Sequence, residues 1–283
     1  MGIKILADRM IDLPAEELKA LDVDTIGCYI MMGNDCYSDL DDVFPEDVFA
    51  YMKATKKVAM TAAKSPDAYA EFFRPFVERG DTVLHFACSS GISSIAENAE
   101  KASHSFPGRV FVIDTLVLSN GIAMLVKYAI KLIADGETDP ETIVRLVKNQ
   151  IPKLQCSFLL EDLECLHRGG RCNGLSYYAA NLLRIKPIIR IDERGRMVAA
   201  EKCRGHRERA FETYFKSIFT KYPNPVLDLL YIPCSTYTEE FEALVRRIVA
   251  KYYAFEKIQF NVVGCNCSVH CGRNVLSTSY MCH

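Results

Sequence analysis

Apolar residues fall into two rhythms along the chain. In the first half, short apolar runs alternate with stretches whose apolar positions recur at helical spacing. Residues 3–7 form a short apolar run that ends in Asp8. Pro14-Ala15-Glu16-Glu17-Leu18 resembles a helix start, with Pro early and acids in the first turn. Residues 24–30 read as a second strand. Residues 66–77 read as an amphipathic helix carrying Tyr69, Phe72, Phe73 and Phe76 on one side. Residues 82–88 are an apolar strand that runs directly into Ser89-Ser90-Gly91. A helix over 93–102, a strand over 110–113 and helices over 122–133 and 140–147 follow. Apolar strands separated by helices predict an α/β fold with a parallel sheet covered on both faces.

The second half differs. Residues 188–191, then Asp192-Glu193-Arg194-Gly195, then residues 196–200 read as strand, turn and strand, which is an antiparallel hairpin. Residues 210–221 form a helix stopped by Pro223, and strands over 227–232 and 257–263 enclose a helix over 239–253. A chain of 283 residues is long for one core. The composition break near residues 150–153 therefore predicts two domains, 1–153 and 154–283.

Composition narrows the classes. Hydrophobic residues make up 49% and charged residues 25%, the profile of an ordinary globular protein. A net charge of −2 supplies no electrostatic reason to expect nucleic acid or an anionic membrane as partner. The first apolar run is too short for a signal peptide, and position 6 is Leu where a myristoylation signal has Ser or Thr. The most apolar helix, 122–133, is interrupted by Lys127 and Lys131 and cannot span a bilayer. The expectation is a cytoplasmic protein without integral membrane association, whose twelve cysteines stay reduced. Eight of them, Cys28, Cys36, Cys88, Cys156, Cys165, Cys172, Cys203 and Cys234, are scattered in the manner of small buried hydrophobes.

Candidate chemistry lies at four places. Cys88-Ser89-Ser90-Gly91-Ile92-Ser93-Ser94 sits where a parallel strand ends and a helix begins, a position suited to an anion. One serine there serves as an N-cap, but four hydroxyls within six residues exceed what capping needs. Neither GxxxxGK[ST] nor GxGxxG is present, so nucleotide phosphate is disfavoured, and His85 reads as a packing residue inside its strand. In Thr61-Ala62-Ala63-Lys64-Ser65-Pro66, Ser65 and Pro66 open a helix, while Thr61 is either a site hydroxyl or a loop hydroxyl facing water. His167-Arg168-Gly169-Gly170-Arg171 permits a tight loop that presents an arginine to a carboxylate or phosphate. Cys265, Cys267, His270 and Cys271, with Cys282 nearby, meet the inventory for zinc, although C-x-C-x-x-H-C is not a standard spacing; inert thiols beside a functional histidine are the other reading.

In order, these fragments resemble the DegV family of bacterial fatty-acid-binding proteins over nearly the whole chain. Asp8 through Asp12-Leu13-Pro14 is similar to the family's D-S-x-x-D-L-P, with Arg9 where Ser is usual. Tyr37-Ser38-Asp39-Leu40-Asp41 resembles Y-x-D-x-x-D. Residues 61–65 fall where the family has T-S-Q-P-S, keeping Thr61 and Ser65. Ser89-Ser90-Gly91-Ile92-Ser93 resembles S-S-G-L-S, and Val112-Ile113-Asp114-Thr115 and Ser119-Asn120-Gly121 resemble V-I-D-S and S-x-G. The most specific piece, residues 163–171, is similar to L-x-x-L-x-x-G-G-R. Ile185-Lys186-Pro187-Ile188 and Lys202-Cys203-Arg204-Gly205 resemble I-K-P-I and K-x-R-G. His270-Cys271-Gly272-Arg273-Asn274 falls where the family has H-x-G-P-G, keeping His270 and Gly272.

The resemblance implies a Rossmann-like parallel-sheet N-terminal domain and a smaller α/β C-terminal domain with antiparallel strands. It implies a long-chain fatty acid between them as the ligand, with no other cofactor. The carboxylate would be held by Thr61, Ser89, Ser90, Ser93 and His270, with Arg171 contacting the head group or a kinase. The acyl chain would lie in an apolar tunnel. The protein would not be an enzyme by itself, but would present its cargo to a separate ATP-dependent fatty acid kinase. The alternatives are a metal- or thiol-dependent regulator built on the cysteine-rich tail and a serine hydrolase of a lipid ester using Ser90 or Ser93 with His270.

Overall fold

The structure is a computed structural model that describes residues 2–161, 163–171 and 186–283. Cys172, and Ile185 of the Ile-Lys-Pro-Ile segment, lie outside the described residues.

Strand β1 (Ile3–Asp8) starts the chain, and α1 (Ala15–Ala20) leads to β2 (Asp24–Ile26). The single strand predicted over 24–30 is two strands in different sheets. Gly27 lies against the Asp39 backbone, where a Cβ would sit 3.1 Å from the carbonyl oxygen. The chain turns there and Cys28 O accepts from Asp39 N–H at 3.1 Å. Next, β3 (Tyr29–Met32) and β4 (Asp35–Ser38) form a hairpin, α2 (Pro45–Thr55) follows, and β5 (Met60–Ala62) returns beside β3. This small antiparallel sheet, ordered β4-β3-β5, and α2 are absent from the sequence prediction.

Helix α3 (Pro66–Glu78) begins as predicted, with Ser65 Oγ accepting from Ala68 N–H at 3.2 Å and Pro66 in the first turn. Then come β6 (Thr82–Ala87), α4 (Ile95–Ser103), β7 (Val110–Asp114), α5 (Asn120–Ala134) and α6 (Pro140–Lys148). Strands β2-β1-β6-β7 make a four-stranded parallel sheet, with α3 and α4 packed together against it and α5 and α6 forming a second pair. His85 on β6 is a packing residue, fully buried against the edges of Tyr69, Phe72 and Phe73 and 3.3 Å from Asp8 Oδ1.

From β8 (Leu154–Leu159) the chain builds a second sheet. It passes through α7 (Glu164–Arg168), the β9 (Lys186–Ile191) and β10 (Met197–Cys203) hairpin, and α8 (Arg207–Lys221). Strand β11 (Leu229–Cys234), α9 (Glu239–Val249), β12 (Lys257–Val262), α10 (Cys265–Cys271) and β13 (Leu276–Met281) complete it. The order is β10-β9-β8-β13-β11-β12, antiparallel except for the β11–β12 pair, which α9 joins by a crossover. Helix α5 touches both sheets, which explains why it is the most apolar helix. Of its two lysines, Lys127 reaches Glu17 at 2.6 Å. The main core is continuous from Leu6 and Leu84 through Leu125 to Phe158, Tyr231 and Cys267. A second cluster, including Phe215, Phe219, Phe241 and Tyr280, fills the space between the second sheet and α8 and α9. Among the described residues, no helix is long and apolar enough to cross a membrane.

Candidate functional site

The predicted site residues come from four separate elements. Thr61 lies on β5, paired with Ile30, and His270 lies on α10, the helix formed by the cysteine-rich tail. Their side chains meet in a hydrogen bond of 2.9 Å between Thr61 Oγ1 and His270 Nε2. Burial drives the imidazole pKa down to about 3, with the Arg171 guanidinium adding to the shift, so the ring is neutral near pH 7. Its Nδ1 is buried without a hydrogen-bond partner among the described residues.

The Gly169-Gly170-Arg171 segment ends α7 in a tight turn. Gly170 takes the left-handed conformation, with φ +73°, and Arg171 N–H donates to Leu166 O at 3.0 Å. Gly169 is required for closeness rather than for φ: a Cβ there would sit 2.4 Å from His270 Nδ1. Arg171 Nη1 donates to Gly169 O at 2.7 Å, which holds the guanidinium beside the turn. Arg171 and Gly170 line a cavity of about 850 Å³ together with Ser90, Ser93, Glu97 and Arg196.

Of the three serines, Ser89 is committed elsewhere. It is fully buried, donates to Gly195 O at 2.7 Å and accepts from Gly91 N–H at 3.1 Å, which seats the turn of the β9–β10 hairpin on the end of β6. Ser90 and Ser93 face the cavity. Ile95 N–H points to Ser93 Oγ at 3.4 Å, and Ser90 N–H donates to Asp114 Oδ1 at 3.2 Å. Among the described residues no hydrogen bond joins His270 to any of the three; its side-chain partner is Thr61.

The tail residues Cys265, Cys267, His270 and Cys271 diverge around α10. Cys265 Sγ donates to Val43 O at 3.1 Å and Cys267 Sγ to Asp12 Oδ2 at 3.4 Å, while His270 meets Thr61. Burial pushes the Cys271 thiol up to about 12 and raises Cys265 and Cys267 as well. Among the described residues, no three His, Cys, Asp or Glu side chains gather in a group able to hold a metal ion.

Two residues escaped the sequence reading of the site. Asp12 and Asp39 are buried carboxylates that receive the start of α10: Gly264 N–H donates to Asp12 Oδ1 at 2.8 Å and Cys265 N–H to Asp39 Oδ1 at 3.0 Å. Both lie in the motifs quoted for the resemblance, which was the available signal, but nothing local marks an Asp as buried. Burial raises Asp12 from the ordinary 3.8 to about 7, opposed by the Gly264 N–H. Its folded pKa exceeds its unfolded one, so the folded chain holds an extra proton between about pH 4 and 7. Stability contributed by that proton is lost as pH rises through this window, by up to about 1.4 kcal/mol per unit. Asp12→Asn is expected to flatten this slope in urea midpoints measured at several pH values from 5 to 8. Parallel slopes in the two proteins would rule out Asp12 as the titrating group.

A family model described as an uncharacterised protein of the DegV family matches residues 2–282. The chain belongs to the DegV family. A DegV domain-containing protein of Deinococcus radiodurans is 29% identical over 208 residues, which is 74% of this chain and 73% of that one. A fatty acid-binding protein of Thermotoga maritima is 27% identical over 213 residues, again 74% and 73% of the two chains. A fatty-acid-binding DegV family protein from Thermus thermophilus has a solved structure that superposes with a TM-score of 0.91 at 27% identity, covering 100% of both chains.

Four positions where this DegV chain departs from the family pattern, Arg9, Lys64, Arg273 and Asn274, make local contacts. Arg9 donates to Thr25 Oγ1 at 3.0 Å, and the Lys64 ammonium lies 3.5 Å from the Tyr29 ring centre. Arg273 covers the Phe49 ring at 4.4 Å. Asn274 adopts φ +60°, a conformation Asn tolerates, and accepts from Arg207 at 3.1 Å.

Proposed function

We propose that this DegV protein is a cytoplasmic, non-catalytic carrier of a long-chain fatty acid, with domains 1–153 and 154–283 enclosing the ligand. The observation that carries the reading is the Thr61–His270 hydrogen bond of 2.9 Å beside Arg171, in a chain whose relatives include proteins described as fatty-acid-binding. With its Nε2–H tautomer, the neutral imidazole donates to Thr61 Oγ1 and leaves the threonine hydroxyl proton for a ligand oxygen. Ser90, Ser93 and the Arg171 guanidinium supply further donors to a carboxylate. The acyl chain occupies an apolar tunnel, and each buried methylene adds about 0.8 kcal/mol, so the tail supplies most of the affinity and the head group its orientation. Held this way, the carboxylate is presented to a separate ATP-dependent kinase for acyl-phosphate formation. Absence of a nucleotide-binding loop motif from the sequence supports that division of labour.

Native mass spectrometry of freshly purified protein, with organic extraction of the same sample, tests the proposal. One long-chain acid per chain is expected. His270→Ala should lower affinity by about ten- to a hundredfold, the range for losing a hydrogen bond in a charged head-group network. A wild-type chain that takes up no fatty acid, or a His270→Ala variant of unchanged affinity, would sink it.

A further inference from the structure

His270 can meet Thr61 only if α10 starts at the right place. Three successive backbone N–H groups at its start have no partner within the helix. Gly264 N–H donates to Asp12 Oδ1 at 2.8 Å, Cys265 N–H to Asp39 Oδ1 at 3.0 Å and Asn266 N–H to Asp39 Oδ2 at 3.3 Å. Both acceptors come from the first 40 residues of the chain, more than 220 positions away, and His270 follows one turn after Asn266.

The two carboxylates are themselves held. The Asp12 carbonyl accepts from Asn120 Nδ2 at 2.9 Å, and Asn120 Oδ1 accepts from Asn261 Nδ2 at 3.0 Å. Asp39 N–H donates to Cys28 O at 3.1 Å, and Asn266 Nδ2 reaches Cys28 Sγ at 2.8 Å. The far end of the helix is terminated by Gly272 at φ +70°. Among the described residues neither carboxylate makes a salt bridge, although the Arg9 guanidinium favours the Asp39 charge from a distance. Buried in this way, carboxylates are a costly means of holding a helix, and apolar contacts would do it more cheaply. What carboxylates add is directional: each oxygen accepts at a defined position.

We propose that Asp12 and Asp39 are positioning residues for the head-group site, fixing the start of α10 and thereby the place where His270 meets Thr61. The inference rests on the fatty-acid reading above. Its chemistry predicts an asymmetry between two conservative variants. Asp12 uses one oxygen on a backbone N–H and the other on the Cys267 thiol, so an amide at position 12 keeps the backbone bond. Asp39 uses both oxygens on backbone N–H groups, so an amide at position 39 sets its NH₂ against one of them.

The test is titration of the full chain, stripped of lipid, with a fluorescent polyene fatty acid, alongside thermal melts and NMR of the His270 imidazole. Asp39→Asn is expected to weaken binding about tenfold, the consequence of losing one buried charge-assisted bond, and to move the His270 resonances. Asp12→Asn should change affinity by less than about threefold, because its bond to Gly264 survives. Should Asp39→Asn fail to fold, Gly264→Ala is the second variant: its φ is ordinary, and its methyl would press on Leu40 at 3.2 Å and Asp12 at 3.4 Å. It is expected to weaken binding and move the same resonances. If the folded Asp39→Asn and Gly264→Ala variants keep wild-type affinity and an unmoved His270 while His270→Ala loses binding, the positioning role is overturned and the fatty-acid site stands. If His270→Ala also keeps wild-type affinity, both fall together.

Discussion

Gly91→Ala is expected to destabilise the chain by about 3 kcal/mol, the sum of an overpacking penalty and a weakened buried hydrogen bond. A Cβ at Gly91 would lie 2.6 Å from both the carbonyl carbon and oxygen of Gly195, and 2.7 Å from Arg194 O. These are backbone atoms of a turn already closed by Gly195 N–H to Asp192 O and Asp192 N–H to Arg196 O, each at 2.9 Å. Nothing there can rotate away, so the whole β9–β10 turn must lift off the end of β6. Lifting it also breaks the Ser89 Oγ bond to Gly195 O and shifts Arg196 and Val198, which line the cavity with Ser90 and Ser93. Fatty-acid binding should therefore fall along with stability. Chemical denaturation of wild type and variant gives the comparison. A loss smaller than about 1 kcal/mol would mean that the hairpin does not seat on Gly91.

Gly169→Ala should act on the site more directly, through His270 itself. The backbone at Gly169 is ordinary helix end, so no strained φ stands against alanine, which narrows the unfolded ensemble by about 0.4–1 kcal/mol. Its methyl, however, would sit 2.4 Å from His270 Nδ1 and 2.9 Å from Cε1. The imidazole is buried and tied to Thr61, so it gives way only by leaving that hydrogen bond. Affinity for a long-chain fatty acid is expected to drop about tenfold or more, and stability to fall by about 1–3 kcal/mol from the clash and the broken buried hydrogen bond. Full affinity in a folded Gly169→Ala protein would remove His270 from the head-group site.

Much of the parallel half was legible because its strands are short apolar runs and its helices carry clear start signals. Residues 3–7, 82–88 and 110–113 read as strands, and β1, β6 and β7 lie there. Ser65-Pro66 marked the start of α3, and the Asp192–Gly195 turn marked the later hairpin. The elements that escaped lack such patterns. Strand β13, with Ser277, Thr278 and Ser279, is too polar to read as a central strand. It lies between β8 and β11 because its hydroxyls are satisfied by neighbours: Thr278 Oγ1 is 2.8 Å from Tyr214 OH, and Ser277 Oγ donates to Ser157 O at 2.9 Å. Helix α10 escaped because its start is capped by Asp12 and Asp39 from far along the chain, so the local sequence holds no cap.

The sequence by itself therefore determined the fold class, the hairpin, the ordered motif series and the residue types able to hold a carboxylate. All of these depend on periodicity, turn chemistry or local spacing, which a linear chain displays directly. Only the tertiary structure decided which of those residues meet. It joined Thr61 to His270 across 209 positions, turned Ser89 inward to the hairpin, spread the tail cysteines around their helix and assigned Asp12 and Asp39 to its start. Hydrogen bonds between distant segments depend on the path of the backbone in space, and no local pattern encodes that path.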